Sequence, residues 1–98
     1  MLDCSSITGF EWDEGNSTKS ETKHAVTRTE VEEVFVNAPL VVREDITHSK
    51  AEARWHALGC TNIGRLLHVT FTVRKNLLRP ISARPMNRKE RAIYEKSE

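Results

Sequence analysis

The sequence predicts an α+β domain: an antiparallel sheet of four to five strands, flanked by two N-terminal helices and one C-terminal helix. Three observations carry that expectation. Between residues 40 and 84 apolar residues alternate with polar ones in successive short runs, the period of half-buried strands. Ahead of these runs, Val31, Val34 and Phe35 fall at i, i+3 and i+4, one face of a helix. Behind them, Asn87 stands three residues before Glu90, the signature of a capped helix start. A chain of 98 residues has room for one core. It buries roughly two-thirds of its unfolded surface, enough for one modest sheet-and-helix core.

Taken in order, residues 1–9 read as a flexible leader and 10–98 as a single domain. Residues 10–13, FEWD, suit a short strand with Phe10 and Trp12 on one face. Residues 16–26 are compatible with a weak, mostly exposed helix. The second helix is expected to start at a capping box formed by Thr29 and Glu32, and to stop before Pro39, which pushes its predecessor out of the α region. Strands are expected over 40–44, 53–59, 65–73 and 77–84, joined by short loops and therefore antiparallel. In the third of these, Leu67, Val69, Phe71 and Val73 share one face, with Leu66, His68, Thr70 and Thr72 on the other. Pro80 cannot donate to a ladder, so the last strand lies at an edge or is bulged there. The final helix runs over about 88–96, with Ala92 and Ile93 resting on the protein. Trp12, Phe35, Trp55 and Phe71 are expected in the core.

Charge narrows the function classes. Residues 1–52 carry 5 Lys/Arg against 11 Asp/Glu, a balance of −6, and residues 53–98 carry 10 against 3, a balance of +7. The basic half either meets an acidic or nucleic-acid partner or is neutralised by the acidic half on folding. No apolar run approaches the ~20 residues of a membrane span. The start of the chain lacks a basic, then apolar, signal pattern, so a cytoplasmic location without membrane contact is expected. Cys4 and Cys60 then read as reduced thiols. The four histidines show no metal-ligand spacing, and neither a GxSxG nor a phosphate-binding glycine loop occurs, so no metal and no cofactor are expected.

Phosphate chemistry without a metal remains. RNA is cut by its own 2′-hydroxyl once a group takes the proton, cations hold the charge developing on phosphorus, and the leaving oxygen is protonated. Arg54, Arg79 and Arg84 on strands and Tyr94 on the last helix suit such a cluster, and surface ion pairing with the acidic half is the bland alternative for the arginines. Lys23 and His24 offer a cation and an acid/base, or a basic cap for the first helix. Asp45, His48 and Ser49 suit a turn.

The landmarks together resemble the BrnT family of toxins from bacterial type II toxin–antitoxin systems. They are FEWD at 10–13, Lys23-His24 with Val26, and EVF at 33–35. Next come Asp45 with His48-Ser49, Glu52 with Arg54, and Leu58-Gly59. ISAR at 81–84 and Glu90-Arg91 with Tyr94 complete the set. The resemblance implies a RelE-like ribonuclease fold that cleaves RNA and inhibits translation; joined to the metal-free chemistry above, the expected function is a metal-independent RNA endonuclease. With that activity, Lys23, His24, Arg54, Arg79, Arg84 and Tyr94 are the catalytic candidates, and the basic run at Arg88, Lys89 and Arg91 is expected on the RNA. The partner implied is a BrnA-like antitoxin that neutralises the toxin and alone contacts DNA; a homodimer is compatible with this. The chain departs from the pattern in placing Ala25 where the family has Gly, and Pro85 where it often has a further basic residue. These departures keep open a second function, a non-catalytic antitoxin-binding member of an autoregulatory complex.

Overall fold

A computed structural model describes residues 6–47 and 52–97. The elements run β1 (Gly9–Phe10), α1 (Glu14–His24), α2 (Arg28–Val36), β2 (Val41–Asp45), β3 (Arg54–Cys60), β4 (Leu66–Arg74), β5 (Leu77–Pro85) and α3 (Arg88–Glu95). They form one five-stranded sheet in the order β1-β5-β4-β3-β2. β2 to β5 are antiparallel neighbours, as short loops require. The sheet is nevertheless mixed, not purely antiparallel, because β1 pairs parallel with β5. The reason is topological: α1, α2 and the whole meander separate β1 from β5 in the chain, so no hairpin dictates their relative direction. Only two residues of FEWD's neighbourhood, Gly9 and Phe10, are strand. Residues ahead of Phe10 also take part in the fold: Ile7 packs on the core and the Thr8 amide donates to Asn76 O at 2.8 Å.

α2 begins at a different box from the expected one. Thr27 is the N-cap, its side chain accepting from Glu30 N at 3.2 Å while the Glu30 carboxylate accepts from Thr27 N at 3.0 Å. Glu32, the expected partner of Thr29, instead accepts from Trp12 Nε1 at 2.7 Å. The apolar stripe behaves as the spacing predicts: Val31 and Val34 are fully buried, each stabilising the fold by about 1.5–3 kcal/mol. They meet Ala57, Leu67, Val69 and Phe71 from one face of the sheet, with Phe35 edge-on to Phe71. Trp12, Phe35 and Trp55 pack on this cluster while remaining partly exposed.

A smaller second cluster lies under α3, where Tyr94, Met86 and Leu58 meet with Ile93, Val41 and Leu66 packed around them. α3 carries the expected Asn87–Glu90 capping box. Pro80 sits at a bulge rather than at an edge, for β5 lies between β1 and β4. Thr70 pairs with Ser82 but Phe71 pairs with Pro80, so Ile81 is the extra residue. Asn16 holds this irregularity by donating Nδ2 to Pro80 O at 2.9 Å and to Glu11 O at 3.0 Å.

Candidate active site

Alternation along the strands decides which side chains meet. The parity that carries Leu67, Val69 and Phe71 faces α2, and the opposite parity faces α3. Reading the pairings across the sheet gives three rows on that second face. Val41, Leu58, His68 and Arg84 form the first row and Arg43, His56, Thr70 and Ser82 the second, and the pairs Asp45–Arg54 and Thr72–Arg79 continue the same face as a third. The bulge at Ile81 is what brings Arg79 onto the face of Arg84; uninterrupted alternation puts them on opposite faces. Tyr94 and Ile93 of α3 pack over the first row. Beside the helix a cleft of about 360 Å³ opens, lined by residues of both elements, among them Arg43, His56, His68 and Glu90.

The cleft contains a connected polar chain. His56 bonds Asp45 Oδ2 through Nε2 at 2.9 Å and Thr70 Oγ1 through Nδ1 at 3.0 Å. Its ring lies 4.8 Å from that of His68, tilted by 33°. His68 Nε2 stands 3.7 Å from Glu90 Oε2. Glu90 in turn takes both Nη groups of Arg84 at 2.8 Å, and the Asn87 amide at 2.9 Å. Burial pushes the His68 pKa down to about 4; Glu90 opposes the shift, and Arg84 and His56 add to it. His68 is therefore neutral near pH 7. Burial works against the Glu90 carboxylate as well, but its bonds from Arg84 and Asn87 outweigh that and hold its pKa below the usual carboxylate value.

The candidate residues distribute unequally around this site. Arg54, Arg79 and Arg84 share the cleft's face of the sheet. Arg79 is paired with Asp13 and, at 3.2 Å, with Glu11. Arg74 binds Glu52 at 2.7 Å and Arg65 binds Glu30 at 3.1 Å. Carboxylates of the acidic half thus pair with Arg65, Arg74 and Arg79 of the basic half. Lys23 and His24 occupy the last turn of α1, where a cation suits the helix dipole. They lie away from the cleft: Arg65, on the α2-facing parity, donates to His24 O at 3.1 Å and Ala25 O at 2.8 Å. Tyr94 is 1% exposed and donates its hydroxyl to Pro39 O at 2.8 Å, which makes it a packing residue out of reach of a substrate proton. Arg88, Lys89 and Arg91 are exposed on α3. His48 and Ser49 fall outside the described residues.

Five side chains of the cleft escaped sequence reasoning as site residues: Arg43, Asp45, His56, His68 and Glu90. Alternation already put His56 and His68 on polar parities of neighbouring strands. The missing signal was the register that sets them side by side. No group of three or more His, Cys, Asp or Glu side chains suited to hold a metal ion occurs among the described residues.

Residues 12–90 match the sequence profile of a family described as the ribonuclease toxin, BrnT, of type II toxin–antitoxin systems. The chain belongs to the BrnT family. Membership makes it a ribonuclease toxin of a type II toxin–antitoxin system by kinship, and such a system implies an antitoxin as its partner. The profile runs from Trp12 to Glu90 and ends in the first turn of α3, so the BrnT match covers Asp45, His56, His68 and Arg84. Individual curated proteins give no match to the sequence. No helix among the described residues of this BrnT chain is long and apolar enough to cross a membrane.

Proposed function

We propose that the protein is a metal-independent RNA endonuclease whose reaction runs on the α3-facing side of the sheet, and that its RNA cutting inhibits translation. The observation that carries this reading is His56, held between Asp45 and Thr70 on a sheet face that also presents Arg43, Arg54 and Arg84. With Asp45 accepting from Nε2, Nδ1 is the basic nitrogen of the ring. The RNA 2′-hydroxyl takes the place of the Thr70 hydroxyl at Nδ1 and gives its proton there. The 2′ oxygen then forms a bond to phosphorus, and the bond from phosphorus to the 5′ oxygen breaks. A 2′,3′-cyclic phosphate results, and the leaving oxygen takes a proton from water at the open side of the cleft. Arg84 and Arg54 hold the charge that develops on the phosphoryl oxygens. General base and cations are all side chains, so no metal is required.

The mixed sheet with helices on both faces is compatible with a RelE-like ribonuclease, and we assign it to that fold group. The partner we assign is a BrnA-like antitoxin, through which alone the complex contacts DNA. The location we assign is the cytoplasm, where its RNA substrate lies. A second reading is favoured by one observation. Arg84 and Arg79 already spend their guanidinium forks on the chain's own carboxylates, as they would in a non-catalytic antitoxin-binding member.

RNA cleavage in excess chelator, with and without ribosomes, decides between them. Wild-type protein is expected to leave 2′,3′-cyclic phosphate ends. His56→Gln should slow cutting about 10²–10⁴-fold, the usual worth of a positioned acid/base. Arg84→Ala should slow it about 10²–10³-fold, as for a lost charge-stabilising donor. Intact RNA from folded wild-type protein under both conditions would leave only the binding role.

A further inference from the structure

Most arginines on the α3-facing side of the sheet are engaged with the chain's own carboxylates. Arg84 has both Nη groups on Glu90, Arg79 is held by Asp13 and Glu11, and Arg74 by Glu52. Arg54 stands opposite Asp45 in the register of β2 and β3. Arg43 differs: it is exposed and makes no hydrogen bond or ion pair among the described residues. It is also the arginine that lines the cleft. The lining follows β2 and the residues just after it, crosses His56 and His68, and ends on Glu90 and Ile93 of α3. Arg54, Arg79 and Arg84 lie outside it.

We infer that Arg43 is a catalytic residue of this site: its guanidinium holds the non-bridging oxygens of the scissile phosphate while His56 takes the 2′ proton. The inference rests on the ribonuclease reading and adds to it the cation nearest the base. Arg43 pairs directly with His56 in the sheet register, on the same face. Opposed side chains of neighbouring strands start about 4.5–5.5 Å apart at Cβ. Arg84 is two strands from His56, about 10 Å across the sheet, and one row along. The reaction asks for a base and a cation side by side. The 2′ oxygen stands about 3–3.5 Å from phosphorus as it attacks, so the group at the 2′ proton and the group at the phosphoryl oxygens are neighbours. As the bond to the 2′ oxygen forms and the 5′ oxygen leaves, negative charge grows on the two non-bridging oxygens, and a planar fork binds both at once. The apolar walls of Val41, Leu58 and Ile93 lower the local dielectric and strengthen that contact. Asp45 and Glu90 also line the cleft. Without Arg43, no arginine of the lining offsets these carboxylates against an entering phosphate.

The test is RNA cutting by wild-type, Arg43→Ala and Arg43→Lys protein under the conditions in which wild type cuts, with melting midpoints measured beside it. Arg43→Ala should lower kcat about 10²–10³-fold, the usual worth of one charge-stabilising donor. Its midpoint should not move, because the side chain is exposed and makes no bond among the described residues. Arg43→Lys should recover part of the loss, since it keeps the charge without the fork. Lys75→Ala, which removes an exposed charge from the turn between β4 and β5, should cut like wild type. A second readout uses RNA in which sulfur replaces one non-bridging oxygen of the scissile phosphate, as separated diastereomers. Wild type should be slowed by the sulfur in at least one of them, and Arg43→Ala should lose that slowing. Cutting by Arg43→Ala at the wild-type rate would overturn the inference and leave the ribonuclease reading standing. A raised KM with kcat unchanged, the mark of uniform RNA binding, would overturn it too. So would a sulfur effect equal in wild type and Arg43→Ala, or a lost rate that comes with a lowered midpoint. Intact RNA from folded wild-type protein would sink the ribonuclease reading itself, so the two failures are separable.

Discussion

Arg84 donates both Nη groups to Glu90, and Glu90 also closes the capping box at the start of α3. One side chain therefore serves the fold and, in the proposed reaction, the phosphate. Removing it leaves a half-buried carboxylate without its main partner, so activity lost in Arg84→Ala must be read beside a measure of folding. Arg84→Lys keeps the charge and gives up the two-pronged geometry, which isolates the fork's part in holding phosphate. Ala25 is a simpler case. It stands at the end of α1 with φ of 53°, in the left-handed region where an L side chain is strained by about 1–2 kcal/mol. Glycine takes this angle without strain, which fits the glycine that the family resemblance puts at this position. Ala25→Gly removes the strain at some cost in unfolded-chain entropy, and is expected to raise stability by about 0.5–1 kcal/mol in a denaturant melt.

Elements meet at a few close contacts, and Gly59 is the tightest. A Cβ built on it lies 2.7 Å from Val34 Cγ1 and 3.1 Å from Val34 O, so β3 and α2 touch through its bare backbone. Val34 is fully buried and cannot step aside. Gly59→Ala is expected to destabilise the protein by about 1–3 kcal/mol, the usual cost of overpacking, and a shift in the denaturation midpoint reads it. The bulge in β5 acts at the same scale by different means. One extra residue at Ile81, held from outside by Asn16, rotates Arg79 onto the face of Arg84 and fills the third row with a cation.

At the scale of the molecule, folding places His68 under α3 and sets a pH dependence. Its folded pKa of about 4 lies below the ordinary 6.5. The unfolded chain thus binds the extra proton first, and stability rises with pH between these values and is level above them. Stability at pH 5 should be about 2 kcal/mol lower than at pH 8. His68→Gln should flatten that slope in melts recorded across the window. The carboxylates of Glu30 and Glu90, held below their ordinary value against their own burial by hydrogen bonds from Thr27 and Arg65 and from Arg84 and Asn87, act lower down. Their contribution is present above about pH 4.5 and is lost as pH falls through their folded values.

The run of strands, the stripe on α2 and the capped α3 were legible in the sequence because each follows from a period or a local motif. Val31, Val34, Leu67, Val69 and Phe71 lie where alternation and helical spacing put them. The family was legible for a related reason, since its landmarks are short local strings in a set order. The candidate site was legible only in part. Arg54, Arg79 and Arg84 were singled out by charge, whereas Lys23 and His24 lie away from the cleft and Tyr94 is buried. Thr27 prevailed over Thr29 as the cap because Glu32 is claimed by Trp12, twenty residues earlier in the chain. Likewise, the parallel pairing of β1 and the meeting of Asp45, His56, His68 and Glu90 are long-range facts. Local periods say which face a residue takes. Only strand order, register and one bulge decide which residues face each other across the sheet.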